Sequence, residues 1–144
     1  MIKGKLIHPE ILEALAQSGH FSQVLIADGN FPAGSLRGPN AKVVFLNFTP
    51  GTVDAITVLR VLLDTIPVQA ATVMQPPADF HPEIHDLYRQ LLGENVPWNH
   101  MERWPFYDKI KSPNTTLVIA TGERRRFANL LLEVGVVKLP EESF

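Results

Sequence analysis

The chain has no cysteine among its 144 residues, which excludes disulfides, thiolate nucleophiles and Cys-ligated zinc or iron–sulfur sites. Charge of one sign has not accumulated either. Thirteen Lys and Arg stand against 15 Asp and Glu, for a net charge of -2 and a sequence pI of ≈ 6.2. That balance gives no electrostatic reason to expect nucleic acid or an anionic membrane as partner, and suits a small neutral ligand better. No apolar run is long enough to span a bilayer, and Met1-Ile2-Lys3-Gly4-Lys5 carries no apolar signal-peptide core, so the expected location is cytoplasmic. A phosphate loop, a dinucleotide fingerprint and a G-x-S-x-G elbow are all missing, leaving nucleotide cofactors and a serine-hydrolase mechanism without support. There is no internal repeat, heptad pattern or low-complexity segment.

What is present is an ordinary soluble composition, 45% hydrophobic and 19% charged, sufficient for one domain over residues 1–144 with a single sizeable core. Pro9 to Gln17 is expected to be helical, with Ile11, Leu12, Leu15 and Ala16 on one face and Pro9 in the first turn. Val24 to Ala27 is a short continuous apolar run and reads as a buried strand, followed by a long Gly/Pro loop from Asp28 to Asn40. Lys42 to Leu46 reads as a second strand. A helix capped by Thr52 is expected from Val53 to about Thr65, then a strand from Val68 to Met74. Asp79 to His81 should cap a helix carrying Ile84, Leu87, Leu91 and Leu92, closed by Gly93. Val96 to Asp108 is aromatic and irregular. Thr115 to Ala120 reads as a strand, Phe127 to Glu133 as a helix, and Val136 to Leu139 as a last strand. Strands this short and apolar imply an α/β fold of three layers, α/β/α, with a central mixed, mostly parallel sheet.

Four groups of residues could carry chemistry. His20 lies in a Gly19-His20 turn, and Asp28 opens the Gly/Asn/Pro loop after the first strand, where α/β folds place working side chains. An imidazole can exchange a proton near neutrality beside a charged carboxylate. If the chain between them were extended, the two would lie roughly 26 Å apart at about 3.3 Å per residue. Either Phe21-Ser22-Gln23 turns to bring them together, or His20 of one subunit meets Asp28 of another. The competing structural reading makes His20 a helix C-terminal residue and Asp28 an ordinary turn residue.

Arg103 and Tyr107 flank Trp104-Pro105-Phe106; an Arg near aromatic faces suits a sugar's hydroxyls and C–H faces, and equally an exposed Arg beside a packed Tyr. Glu123 and Asn129 form the third group. Glu123 is expected at a strand-to-helix junction, as a site carboxylate or a cap. Asn129, expected early in a helix among apolar residues, needs a partner, because an unpaired buried amide costs about 1 to 3 kcal/mol. His81 and His85 have the i, i+4 spacing for a shared metal, yet no third ligand is near and the H-E-x-x-H pattern is absent, so a solvated helix start is the expectation and no metal site is assigned. Arg124-Arg125-Arg126 is a basic run that could meet phosphate, but three such residues in an acidic protein read rather as a solvated face or a subunit contact.

Taken together, Gly19-His20, Asp28-x-Asn30-Phe31-Pro32, Arg103-x-x-Phe106-Tyr107, Thr121-Gly122-Glu123, Asn129 and Gly135-Val136 resemble the RbsD/FucU family nearly end to end, closer to its fucose mutarotase branch than to its ribose pyranase branch. The resemblance implies a cofactor-free enzyme, an isomerase that interconverts anomers or ring forms of a monosaccharide such as L-fucose. It also implies ring-shaped homo-oligomers, often decamers, with sites between subunits. In the family, the histidine matching His20 is the proton donor, and residues matching Asp28, Arg103, Phe127, Ala128 and Asn129 contact the sugar. Tyr107 and Glu123 are further candidates. The family usually has Tyr where this chain has Phe127, so a phenolic hydroxyl is lost. That departure supports an alternative, a non-catalytic sugar-binding or transport-accessory protein of the same fold.

Overall fold

The computed structural model describes residues 1–142; Ser143 and Phe144, the end of the expected domain, lie outside the described residues. The chain runs through α1 (Pro9–Gln17), β1 (Gln23–Ala27), β2 (Lys42–Phe45), α2 (Ala55–Leu63), β3 (Val68–Met74), α3 (Glu83–Leu92), β4 (Trp98–Met101), α4 (Arg103–Ile110), β5 (Thr115–Ala120) and β6 (Leu130–Val134). The strands form one sheet in the order β2-β5-β1-β6-β3-β4. The β1–β5, β2–β5 and β3–β4 pairs are parallel, whereas β6 runs antiparallel to both neighbours, β1 and β3. The sheet is therefore mixed and mostly parallel, as the short apolar runs implied.

Side chains along each strand divide between two cores, as the period of two requires. Val24, Ile26, Leu117, Ile119, Leu130 and Leu132 join the core under α1, α2 and α3. Leu25, Ala27, Val118, Ala120 and Leu131 join the core under α4 and the 28–40 loop, where Phe31, Phe106 and Ile110 cover them. Burial on both faces makes the strands read as unbroken apolar runs rather than alternating ones.

This two-sided burial explains the main correction to the sequence reading. Phe127 to Glu133 is not a helix: Leu130-Leu131-Leu132 opens β6, and a short apolar run carries no periodicity that separates a buried strand from a buried helix. Val136 to Leu139 forms no strand, and Val137 is 82% exposed. The Val96 to Asp108 stretch is not irregular but contains β4 and α4. Helix α2 starts at Ala55 with Asp54, not Thr52, as N-cap. Helix α3 starts at Glu83 with Pro82 as N-cap; Ile84, His85 and Tyr88 are its buried residues, and Leu91 and Leu92 pack half-buried against the same core.

The β5–β6 connection is held by two close approaches. Gly122 packs its backbone against the 49–53 turn, donating to the Val53 carbonyl and accepting from Gly51. A Cβ there would lie 2.6 Å from the Thr52 carbonyl oxygen and 2.7 Å from that of Thr49. Glu123 is buried and accepts from the Ala55 amide at the start of α2, from the Arg125 amide and, bidentately, from the Arg125 guanidinium at 2.8 and 3.0 Å. Burial alone would raise its pKa, but the Arg125 side chain and the two amides outweigh it and hold the carboxyl at about 2.

Two stability measurements check these contacts. Gly122→Ala should lose about 2 kcal/mol or more by urea denaturation, because both obstructing atoms are backbone. For Glu123, a depressed folded pKa means the stabilisation is present above the ordinary value of 4.5 and is lost as pH falls toward about 2. The free-energy gap between wild type and Glu123→Gln should therefore be widest near neutrality and close across that window. Asp28 shifts in the opposite direction, so the gap, rather than the wild-type curve, is the diagnostic quantity. A gap independent of pH would contradict the assignment.

Candidate active site

Because five strands point one way and β6 the other, the C-terminal ends of the five meet the N-terminal end of β6 at one edge of the sheet. Open α/β sheets bind ligands outside those carboxyl ends. Asp28 follows β1, Arg103 opens α4 just past β4, and Phe127-Ala128-Asn129 leads into β6. Asp28, Arg103, Tyr107, Phe127 and Asn129 line one cavity of about 200 Å³, with Asn30, Met74 and Arg126 beside them.

Asp28 is 5% exposed. Its own amide donates to Asn129 Oδ1 at 2.7 Å, and its Oδ1 accepts from the Asn30 amide at 3.0 Å in an Asx turn. Burial pushes the Asp28 carboxyl above the ordinary carboxylate value, against the pull of the Asn30, Phe31 and Ala128 amides. Asn129 thus has the partner that its apolar surroundings demand, although it precedes a strand and not a helix turn. Phe31 meets Tyr107 edge-on at 5.8 Å, which joins the 28–40 loop to α4.

Two residues of α3 support this wall: Tyr88, to which the sequence suggests no role, and His85, expected at a solvated helix start but buried at 5% exposure. Phe127 adopts φ 61, a left-handed conformation that costs a non-glycine residue about 1 to 3 kcal/mol. The His85 Nε2–H donates to the Phe127 carbonyl at 2.7 Å, and the Tyr88 hydroxyl donates to the Ala128 carbonyl at 2.6 Å. Burial lowers the His85 pKa and so favours the neutral ring, and a carbonyl partner requires the proton on Nε2. Ala128 is itself fully buried and faces Asp28 through its amide. The available signal was the i, i+3 pair His85 and Tyr88 on the same face as Ile84. His81 does not join His85: it lies outside α3 and bonds Asp86 at 2.8 Å.

Glu123 does not line the Asp28 cavity. No helix follows it, and its carboxylate is committed to Ala55 and Arg125 beside a neighbouring cavity of about 430 Å³ lined by Gly29, Phe48 and Arg124. His20 is also elsewhere. A turn does form, with the Ser22 amide bonded to the Gly19 carbonyl, but it does not fold His20 back toward Asp28. His20 stacks on Phe21 at 3.8 Å and bonds Gln69 Oε1 at 2.9 Å, and Gln69 in turn donates to Glu133 at 2.8 Å. Gln69 is the second residue of β3 and Glu133 the last but one of β6, so His20 belongs to the opposite edge of the sheet. The extended residues of β1 alone hold His20 and Asp28 roughly 16 Å apart within one chain.

Against known proteins, residues 1–137 match the sequence profile of the RbsD / FucU transport protein family. The chain is 33% identical to a D-ribose pyranase 2 of Streptomyces griseus over 94% of its own length and 98% of that protein. It is 32% identical to a fucose mutarotase of Danio rerio, covering 99% and 98%. The crystal structure of FucU from Bifidobacterium longum superposes with a TM-score of 0.78 at 36% identity, covering 92% of this chain and 96% of that one. A match across nearly the whole chain in sequence and in fold places the protein in the RbsD/FucU family.

Proposed function

We propose that this protein is a sugar mutarotase, an isomerase that exchanges the anomers of a monosaccharide such as L-fucose by general acid–base catalysis with side chains alone. The observation that carries this reading is the convergence of Asp28, Arg103, Phe127 and Asn129 from separate strand ends onto one cavity. The relatives named D-ribose pyranase and fucose mutarotase support the reaction class.

Opening a cyclic hemiacetal requires removal of the anomeric hydroxyl proton and delivery of a proton to the ring oxygen as the C1–O bond breaks. Reclosure of the aldehyde on either face then exchanges the anomers. Asp28, Asn129 and Arg103 would hold the hydroxyls, and His20 would exchange the proton. With His20 at the other sheet edge, it would be supplied by a neighbouring copy in a ring-like homo-oligomer. Gln69 suits this role: its amide N–H₂ is committed to Glu133, which leaves Oε1 to accept the Nε2–H of His20 and the second ring nitrogen free as a base.

Phe127 favours a second reading, a binding protein without catalysis, since no phenolic hydroxyl reaches the sugar from that position. Exchange NMR on L-fucose and D-ribose separates the two. The mutarotase reading predicts accelerated anomer exchange, lost by about a hundredfold to ten-thousandfold in folded His20→Ala. Saturation transfer to the sugar without faster exchange would establish the binding reading. Full activity of His20→Ala would contradict the proposed acid–base role.

A further inference from the structure

Two guanidinium groups at the Asp28 cavity have no carboxylate or hydrogen-bond partner among the described residues. Arg103 and Arg126 both line it and are both exposed. Neither makes an ion pair or a side-chain hydrogen bond among the described residues, where Arg125 is the arginine paired with carboxylates. The run Arg124-Arg125-Arg126 is thus split in purpose. Arg125 turns to Glu123 and Asp54, while the Arg126 guanidinium carbon lies 4.6 Å from the centre of the Phe80 ring, which packs on Phe127 at 5.6 Å.

A guanidinium resting on a ring face keeps its in-plane N–H donors free, and their fork matches a carboxylate or phosphate. Asp28, the carboxylate lining this cavity, is buried, accepts from Asn30 and pairs with neither arginine. A neighbouring depression of about 500 Å³ shares Met74, Arg103 and Phe127 with the cavity and is also lined by Glu102. There is room past a sugar ring for a further substituent, and Arg103 is common to both spaces.

We propose that the cavity takes a monosaccharide bearing an anionic substituent, a sugar carboxylate or sugar phosphate, with its ring against Asp28 and Asn129 and its charged group held by Arg126 together with Arg103. This deepens the mutarotase reading and rests on it. The near-neutral charge of the whole chain conceals a local excess of two cations over one carboxylate at this cavity. A charged group remote from the anomeric carbon leaves ring opening itself unchanged, so it acts on binding and not on the chemical step.

The test is anomer-exchange NMR at pH 7 on matched sugars: galactose with galacturonate and galactose 6-phosphate, and glucose with glucuronate and glucose 6-phosphate. At least one charged sugar should show a KM about tenfold or more below that of its neutral counterpart, the effect of one charge-assisted hydrogen bond. The carboxylate and phosphate arms identify which group is taken. Arg126→Gln should collapse that KM ratio with kcat for the charged sugar little altered. Acceleration of the neutral sugars alone overturns the anionic-substrate inference and leaves the mutarotase reading standing. Acceleration of none, with L-fucose and D-ribose also inert, overturns both. If Arg126 instead pairs with a neighbouring copy, Arg126→Gln changes the oligomer mass in light scattering and leaves the ratio unchanged, which also overturns the inference.

Discussion

The buried hydrogen bond from the Asp28 amide to Asn129 Oδ1 joins the end of β1 to the start of β6, and the site is built around that junction. It exists because β6 is inserted antiparallel between β1 and β3. An antiparallel strand brings its N-terminal residues to the edge where its parallel neighbours end, so Phe127-Ala128-Asn129 can share a wall with Asp28. His85 and Tyr88 hold the two carbonyls of that wall from α3, and the left-handed turn at Phe127 is retained by those bonds. Losing a buried donor to a carbonyl costs about 1 to 3 kcal/mol, comparable to the strain the turn carries.

Three carboxylates of the chain are separated in role by what they touch. Glu123 is satisfied by a bidentate guanidinium and two amides and stays ionised down to about pH 2. Asp28, equally buried, has amides and no cation, and burial raises its pKa. Glu133 lies at the far sheet edge and is reached by Gln69, which orients His20. Sequence position alone suggested site roles for Glu123 and Asp28 alike; hydrogen-bond partners divide them into a pin for the fold and a wall of the cavity.

Much of the sheet was legible in the sequence because Val24–Ala27, Val68–Met74 and Thr115–Ala120 are branched, apolar and bounded by turn formers. Leu130–Leu132 was misread because leucine favours helices and two-sided burial erases alternation. The aromatic stretch hid β4 and α4, since Pro105 in the first turn of α4 resembles a break although that position tolerates it. The cavity residues Asp28, Arg103, Tyr107 and Asn129 were identifiable as residue types that need polar partners. The roles of His85, expected to be solvated, and of Tyr88 were not legible, since they depend on strand order, which places α3 behind the start of β6.

The central claim is that a working site takes His20 from one copy and Asp28 from another, because β1 keeps the two at opposite sheet edges. The direct measurement is anomer-exchange NMR on His20→Ala and Asp28→Asn proteins that have been dissociated and reassembled together, each being inactive alone. Random mixing restores intact sites where a His20-bearing copy meets an Asp28-bearing copy, so activity should recover to about a quarter of wild type. Co-assembly confirmed by mass, with no recovery of activity, would show that one chain supplies both groups and would contradict the account.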